Sequence, residues 1–235
     1  MTLKRQVLAG IALALGAAMA QADPWQGKGE AGIVAASGNT QTDSYNFKLG
    51  LTKVDDLWKH ALDMSYVRGS SEGVTDANRF VGTWQSNYNF SARTFAFGGA
   101  RYDHDEFGGF LYQASISTGL GYKFYDTDTV KFSGQAGIGY RKLEDGVTHE
   151  TSTGAIFAGG LNYEWAFSKT SKLSDKLTVE AGSDNTLYTN FVGVEVKMSD
   201  KLGLSAGYDV THNTKPPTGK KSTDTLTTLN LVFGF

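Results

Sequence analysis

The sequence predicts an all-β protein, a single antiparallel transmembrane β-barrel of twelve strands with both termini periplasmic. Three observations carry this prediction. Apolar and polar residues alternate with period two, and many alternating segments exceed the about five or six residues of a typical soluble strand. Aromatic residues gather near the segment ends, as in the girdles of membrane barrels. Ten or fourteen strands are alternative counts, and a soluble β-sandwich is the alternative fold.

Composition agrees with strands joined by tight turns. The 235 residues include 29 glycines and 12% aromatics but only three prolines. There are no cysteines, so disulfides and thiolate metal sites are excluded. The formal net charge of -2 argues against a nucleic-acid partner.

The N-terminus has the pattern of an export signal. The basic residues Lys4 and Arg5 precede an apolar stretch that leads into an Ala-Gln-Ala cleavage site. The stretch is too short for a membrane-spanning helix. We therefore predict a cleaved signal peptide over residues 1–22 and one outer-membrane barrel domain over 23–235, located in the cell outer membrane.

Twelve alternating segments follow the signal. In order, the predicted strands are 28–37, 41–53, 58–69, 78–90, 93–104, 110–125, 129–142, 150–167, 175–184, 186–198, 201–212 and 222–235. The sixth illustrates the pattern, since its even-numbered residues from Tyr112 to Phe124 are mostly large and apolar, and its odd-numbered residues are small or polar. Two segments are weak: either face of 93–104 could be the apolar one, and 175–184 is short.

Ring spacing separates a membrane barrel from a sandwich. Tyr112 and Tyr122 lie ten residues apart on one face, and the same spacing recurs for two phenylalanine pairs. A tilted strand advances roughly 2.5 Å per residue along the barrel axis, so ten residues span about 25 Å, the height of the apolar band of a membrane barrel.

The predicted connections alternate between short and long, as expected if the short turns are periplasmic. The longer ones are GSSEGVTDAN, DHDEFGG, KLEDGVTHE and HNTKPPTGKKS. SKTSKLSDK breaks this rule, since it is long but falls on the periplasmic side.

Parity also predicts which polar side chains point into the barrel. The candidate lumen-lining residues carry charges of both signs, which could line a narrow polar channel or pair and close it. They are Lys48, Asp63, Gln85, Gln113, Lys123, Lys131, Gln135, Arg141, Glu164, Glu180, Glu195, Lys197 and Asp209.

The last strand ends at Phe235, a terminal aromatic residue after an alternating stretch. This strand must pair with the first one to remove the sheet edges. The pattern resembles the assembly signal of outer-membrane proteins, and we assign Phe235 that role.

At the family level, the stretch GIVAASGNTQTDSYNFKLG, the strand starts at Asp175 and Asp200 and the terminal TLNLVFGF resemble the putative salt-induced outer-membrane proteins of Gram-negative bacteria. The resemblance implies an outer-membrane β-barrel of undefined biochemical role, linked to salt or acid stress. It supplies no functional residues.

No catalytic signature accompanies this pattern. His60 shares a strand face with apolar residues, and His104 lies beside Asp103 and Asp105 in an acidic segment that we expect to be a solvated loop rather than a calcium site. No cofactor or metal is predicted. We expect a non-enzymatic barrel, a narrow pore or an envelope-stabilising protein; the alternatives are an enzyme that modifies lipid or lipopolysaccharide, and a surface-adhesive protein. Expected partners are outer-membrane lipid, lipopolysaccharide and the outer-membrane assembly machinery, while the sequence gives no oligomeric state.

Overall fold

A computed structural model describes residues 25–37, 42–71 and 74–235. These residues form twelve strands, and the predicted signal peptide lies outside them. The strands are β1 (Gln26–Ser37), β2 (Thr42–Val54), β3 (Trp58–Ser71), β4 (Val74–Asn89), β5 (Thr94–Asp105), β6 (Phe110–Asp126), β7 (Val130–Asp145), β8 (Thr151–Trp165), β9 (Ser171–Gly182), β10 (Thr186–Lys197), β11 (Leu202–Asn213) and β12 (Thr223–Gly234).

The strands form one closed antiparallel barrel, which confirms the predicted fold class and strand count. Each strand pairs with its chain neighbours, and β12 pairs with β1 to close the ring. At this seam Phe235 N donates to Gly27 O at 2.9 Å and Gly27 N donates to Phe235 O at 2.8 Å. Closure leaves no sheet edge. A sheet that spans a membrane must be closed in this way, because hydrocarbon offers no hydrogen-bond partners to unpaired backbone groups.

Both chain ends of the barrel lie at one end, since Lys28 near the start of β1 is opposite Gly234 at the end of β12. We call this the terminal end and the opposite one the loop end. The connections at the terminal end have three to five residues. At the loop end the connection 214–222 has nine residues.

Two expectations about the connections were wrong. The SKTSKLSDK segment is not a long turn, because β9 begins at Ser171 and leaves only 166–170 irregular. One of the four expected long loops, 69–78, is mostly strand, because β3 continues to Ser71 and β4 begins at Val74. Two others are shorter than expected, since β5 continues to Asp105 and β7 continues to Asp145. The strands extend further than hydrophobic alternation alone indicates, since their ends carry polar residues on both faces.

The outer face of the barrel is apolar and bears two aromatic belts. Ile116 and Phe157 point outward with 64% and 73% of their surface exposed. Belt rings contact each other at the terminal end, as in Trp58–Tyr88 at 5.1 Å between centroids, and at the loop end, as in Tyr102–Tyr112 at 6.4 Å. The pairs Tyr112/Tyr122 and Phe80/Phe90 found in the sequence therefore place one ring in each belt, whereas Phe157 of the third pair lies in the middle of β8.

No helix in the described part of the chain has the length and apolar character needed to cross a membrane.

Candidate functional site

The inner face of the barrel is defined by the strand registers, because residues directly opposite each other on paired strands point to the same side. The buried Asn46 and the exposed Phe47 fix the two faces of β2, and the registers carry this assignment around the ring. All thirteen candidate lumen-lining residues fall on the inner face in this assignment.

The lumen is a flattened slit rather than a round tube. Twelve strands about 4.8 Å apart and tilted about 40° would form a round barrel roughly 24 Å across. Asp63 on β3 and Lys176 on β9 lie half-way round the ring from each other, yet their Oδ2 and Nζ atoms are 3.7 Å apart. An aspartate oxygen is three bonds from Cα and a lysine nitrogen five, so the two side chains reach well short of that width. The walls that carry β3 and β9 must therefore lie close together.

The half of the lumen next to the terminal end, which we call the terminal half, is polar and accessible. Asp63 and Lys176 keep 58% and 47% of their side-chain surface exposed although they bridge the slit. Lys48 Nζ contacts Asp209 at 3.2 Å, and it also lies 4.8 Å above the ring of Phe191.

A second group of charges in the terminal half surrounds Glu195. Lys28 Nζ contacts Glu195 at 2.9 Å and Glu30 at 2.7 Å, while Lys172 Nζ lies 4.0 Å from Glu195. Lys197 is two residues along the same face of β10.

Lysines near the terminal mouth complete this half of the lumen. Lys131 is opposite Glu164 on the paired strand, and Lys123 contacts Asp126, the last residue of β6, at 3.4 Å.

One patch of the terminal half is dry. Phe95 and Phe97 point inward and are buried, with their rings over the inner glycines Gly121 and Gly119 of β6. A Cβ atom at either glycine would collide with the ring above it. This arrangement resolves the ambiguous face of β5: its aromatic residues near the terminal end face the lumen, and its small residues face outward.

Amides span the slit beside this patch. Gln85 Nε2 donates to Gln135 Oε1 at 3.0 Å, and Gln135 Nε2 donates to Gln85 Oε1 at 3.2 Å.

The half of the lumen next to the loop end, the loop half, is packed around three arginines. Arg79 donates to both oxygens of Asp103, at 3.0 and 2.7 Å, and Arg101 donates to Asp103 at 2.5 Å. Arg79 also reaches across the barrel to Thr211 Oγ1 at 3.4 Å. The acidic segment around Asp103 is therefore not a solvated loop as predicted: Asp103 and Asp105 belong to β5, and burial beside Arg79 holds their carboxylates inside the barrel.

The third arginine, Arg141, anchors the other side of the loop half. Its side chain is only 1% exposed. It donates to Asp184 Oδ1 at 2.8 Å and to the backbone oxygens of Glu180 at 3.1 Å and Asn185 at 2.5 Å. Burying a guanidinium is costly unless it is paired, so these contacts are what keep Arg141 in place.

Asp184 lies in the connection 183–185, outside the strands. Burial alone would raise the pKa of its carboxyl, but the hydrogen bond and positive charge of Arg141 outweigh burial and lower the pKa below its ordinary value.

Further side-chain hydrogen bonds close the remaining width of the loop half. Ser115 Oγ donates to Glu180 Oε1 at 2.6 Å, and Asn185 Nδ2 donates to Asn213 Oδ1 at 2.6 Å. Gln113 on β6 lies 3.5 Å from Asn213 on β11, which is five strands away round the ring.

The connection 214–222 covers the loop end. Lys220 Nζ donates to Phe107 O at 3.0 Å, and Pro217 is buried against Gly109. Beneath it lies a cavity of about 20 Å³ lined by Arg79, Asp103 and Gln113 among others. That is room for about one water molecule. Gln113 Oε1 is buried and has no partner within the described part of the chain, so a water in this cavity would satisfy it.

No catalytic array forms around the four histidines. His60 Nδ1 lies 2.7 Å from Ser86 Oγ, but both residues are directly opposite each other on the outer face, and the described residues place no carboxylate on His60. His149 bonds Glu144, and His212 bonds Thr223. Within residues 25–37, 42–71 and 74–235, no three His, Asp or Glu residues are arranged to hold a metal ion.

Sequence reasoning placed Gln113, Arg141 and Glu180 on the inner face but missed the rest of the core of the loop half. Arg79 has the same parity as Gln85 within one strand, and this signal could have placed it inside. Arg101 and Asp103 were missed because the alternation of 93–104 does not tell which face is apolar.

Comparison with solved structures supports the fold alone. The NanC porin covers 89% of this chain and 98% of its own length with a TM-score of 0.56 at 9% identity. The translocator domain of the autotransporter NalP from Neisseria meningitidis covers 99% and 96% with a TM-score of 0.51 at 10% identity. The fold is therefore that of outer-membrane β-barrels.

Sequence comparison shows the family. The chain is 26% identical over 218 residues to the uncharacterized protein YdiY of Escherichia coli strain K12, with 89% of this chain and 83% of that protein covered. The model of the family described as "Protein of unknown function, DUF481" matches residues 29–235, so the chain belongs to this family.

Proposed function

We propose that the chain is a non-enzymatic outer-membrane barrel that forms a narrow channel, with a vestibule at the terminal end and a closed constriction at the loop end. The observation that carries the proposal is the change along one continuous polar slit: half-exposed charges such as Asp63 and Lys176 give way to the buried Arg79 and Arg141 clusters. A purely structural barrel has no need for accessible charges inside, since an apolar core would hold its walls together.

The orientation follows from the ends of the barrel. Barrels of this fold keep short turns at the periplasmic side, so the terminal end faces the periplasm and the constriction faces the cell exterior. The vestibule is then filled from the periplasm, and the pairs at the loop end separate it from the medium.

Single-channel recording in planar bilayers tests the proposal. The wild-type protein should give small, infrequent steps. The double variant Arg79→Ala/Asp103→Ala removes both members of a buried pair, and Gln113→Ala/Asn213→Ala removes neutral groups; both should give larger and longer openings because contacts across the slit are lost.

The matched control is Asp175→Ala/Asn190→Ala. This pair also forms a hydrogen bond between strands, at 2.7 Å, but it lies on the outer face and should leave conductance unchanged. Each variant must keep the heat-dependent gel migration of a folded barrel. Folded constriction variants that stay silent would instead support an envelope-stabilising or adhesive barrel, and silence together with lipid hydrolysis would support the enzyme alternative.

Export and assembly are part of the same proposal. A cleaved signal over residues 1–22 delivers the chain to the periplasm, and Phe235 marks the last strand for the assembly machinery. In support, Phe235 packs its ring over Gly27 at the seam where the barrel closes. Deletion of Phe235 should lower the amount of barrel in the outer membrane more than it lowers the stability of barrel refolded in detergent. Normal membrane levels of the deleted chain would rule out the assembly role.

The link to salt or acid stress rests on the family resemblance and on the many charge pairs in the lumen. The Asp63–Lys176 bridge across the slit is partly solvated and weakens as salt rises, so the slit should widen more readily at high ionic strength. Growth of a deletion strain in high salt and at low pH measures the biological consequence.

Outer-membrane lipid and lipopolysaccharide are the surroundings proposed for the outer face. Its aromatic belts and exposed aliphatic residues would contact acyl chains. Lys215, in the covering connection at the loop end, is exposed and could meet lipopolysaccharide phosphates.

A further inference from the structure

The formal charge of the inner face changes sign along the lumen. In the described part of the terminal half, each of the six inner carboxylates either contacts a lysine or lies opposite one: Glu30, Asp63, Asp126, Glu164, Glu195 and Asp209. Eight inner lysines face them: Lys28, Lys48, Lys59, Lys123, Lys131, Lys172, Lys176 and Lys197. The terminal half is therefore net positive.

The loop half has the opposite balance. The arginines Arg79, Arg101 and Arg141 are outnumbered by four carboxylates on the same inner face. These are Asp103, Asp105, Glu180 and Asp224. An ion that moves along the slit thus passes from a positive region into a negative one.

The positive charge is concentrated around Glu195. Lys28 and Lys172, from two different strands, contact this single carboxylate, which is itself 14% exposed. Lys197 follows two residues along the same face of β10. Lys28 is held by two short contacts, to Glu30 and Glu195. Lys172 is held only by a 4.0 Å contact, and Lys197 forms no ion pair within the described part of the chain. Two ammonium groups therefore remain available at the terminal mouth.

We infer that Lys172 and Lys197 form an anion-binding site at the terminal mouth, and that the solutes the vestibule recruits are small anions bearing carboxylate or phosphate groups. A charged cleft with low-dielectric walls focuses its field and concentrates counter-ions. Ammonium groups bind such anions as point charges, without the fixed geometry of a guanidinium fork. The recruitment part of the inference rests on the proposed function, whereas the binding site does not.

Binding can be measured without conduction. Line broadening of inorganic phosphate in phosphorus NMR, at constant ionic strength, reports weak binding to the detergent-solubilised barrel. Lys172→Gln/Lys197→Gln should weaken the apparent affinity by about tenfold, since two charges of the site are removed. The matched control Lys53→Gln/Lys142→Gln removes two lysines from the outer face and should bind as the wild type does.

Conduction gives an independent measure. In a potassium chloride gradient, adding Lys172→Gln/Lys197→Gln to the opened variant Arg79→Ala/Asp103→Ala should shift the reversal potential towards cation preference, because two positive charges leave the terminal mouth while the charge of the loop half is unchanged. Phosphate that does not bind, or that binds the inner and outer double variants equally, overturns the inference whether or not the barrel conducts. A reversal potential that the two lysine substitutions leave unchanged rejects the recruitment part of the inference. Phosphate binding without conductance in any variant would keep the site and reject the channel.

Discussion

The two halves of the lumen accommodate charged side chains in different ways. In the terminal half, lysines and carboxylates meet in pairs that stay partly in water, as Asp63 and Lys176 do across the slit. In the loop half, Asp103 and Arg141 are buried, and Arg141 is held by several hydrogen bonds, to Asp184 and two backbone oxygens. Substitution of a half-solvated lysine should lower the stability little, whereas substitution of a buried arginine leaves its buried hydrogen-bond partners unpaired and should lower the stability more. The same residue classes should therefore have unequal energetic weight at the two ends.

The largest expected effect is at Arg141. Replacement by Met keeps the bulk of the side chain but leaves Asp184 and two carbonyl oxygens without their donor, and should lower the free energy of unfolding by about 3–5 kcal/mol. The matched change Lys131→Met in the terminal half should cost no more than about 1 kcal/mol, because Lys131 is exposed. Urea unfolding of the refolded barrel, followed by gel migration, measures both. Equal losses would remove the distinction between the halves.

The dry patch of the terminal half should be the next most sensitive place. Gly121→Val puts a side chain into the ring of Phe95 and should destabilise the barrel by about 1–3 kcal/mol through overpacking. In the double variant with Phe95→Ala the loss should be smaller than the sum of the two single losses, since the ring that clashes is gone. Additive losses in the same urea titration would show that the ring does not press on Gly121.

A smaller effect is expected at the bridge across the slit. Lys176→Met and Asp63→Asn should each change the free energy of unfolding by roughly 0.2–1 kcal/mol, as for solvated ion pairs. The coupling between them, obtained from a double-mutant cycle, should shrink further at high salt. A coupling of several kcal/mol that ignores salt would mean that the terminal half is as dry as the loop half.

The smallest effect concerns pH. The folded pKa of Asp184 is lowered, so its contribution to stability is complete above the unfolded value of about 3.9 and is lost as pH falls through the lower, folded value. Asp184→Asn should flatten the stability profile in that acidic window and leave the profile at neutral pH parallel to that of the wild type. If the Asp184→Asn variant loses as much stability in acid as the wild type does, other carboxylates cause that loss.

Period-two alternation predicted the fold because it depends on a local property: one face meets lipid and must be apolar on every strand. The prediction failed where a strand no longer faces lipid, because there its outer face need not be apolar. Beyond the apolar band strands no longer need to alternate, so β3 and β7 run further than expected. On β5, Phe95 and Phe97 fill space inside the barrel, and their aromatic character mimics a lipid-facing surface.

Parity could name candidate inner residues but not their partners. Asp63 and Lys176 are 113 positions apart, and their contact depends on how flat the barrel is. The sequence of either strand does not predict the cross-section of the barrel, because the cross-section results from packing between walls that are not neighbours in the chain. The contact of Arg79 with Thr211 was out of reach for the same reason.

The flattened section has a mechanical consequence. A ring of fixed perimeter encloses its greatest area when it is round, so a slit can widen by a change of shape alone. The ladder hydrogen bonds, which fix the perimeter, need not break; only the side-chain contacts between facing walls do. The free energy needed to widen the slit then depends on a few side-chain hydrogen bonds between the walls, such as Gln85–Gln135 and Arg79–Thr211. Lateral pressure from the surrounding bilayer acts on the same change of cross-section. The resistance of such a barrel to a change of cross-section is determined by the side-chain contacts in its lumen rather than by the hydrogen bonds of its β-sheet.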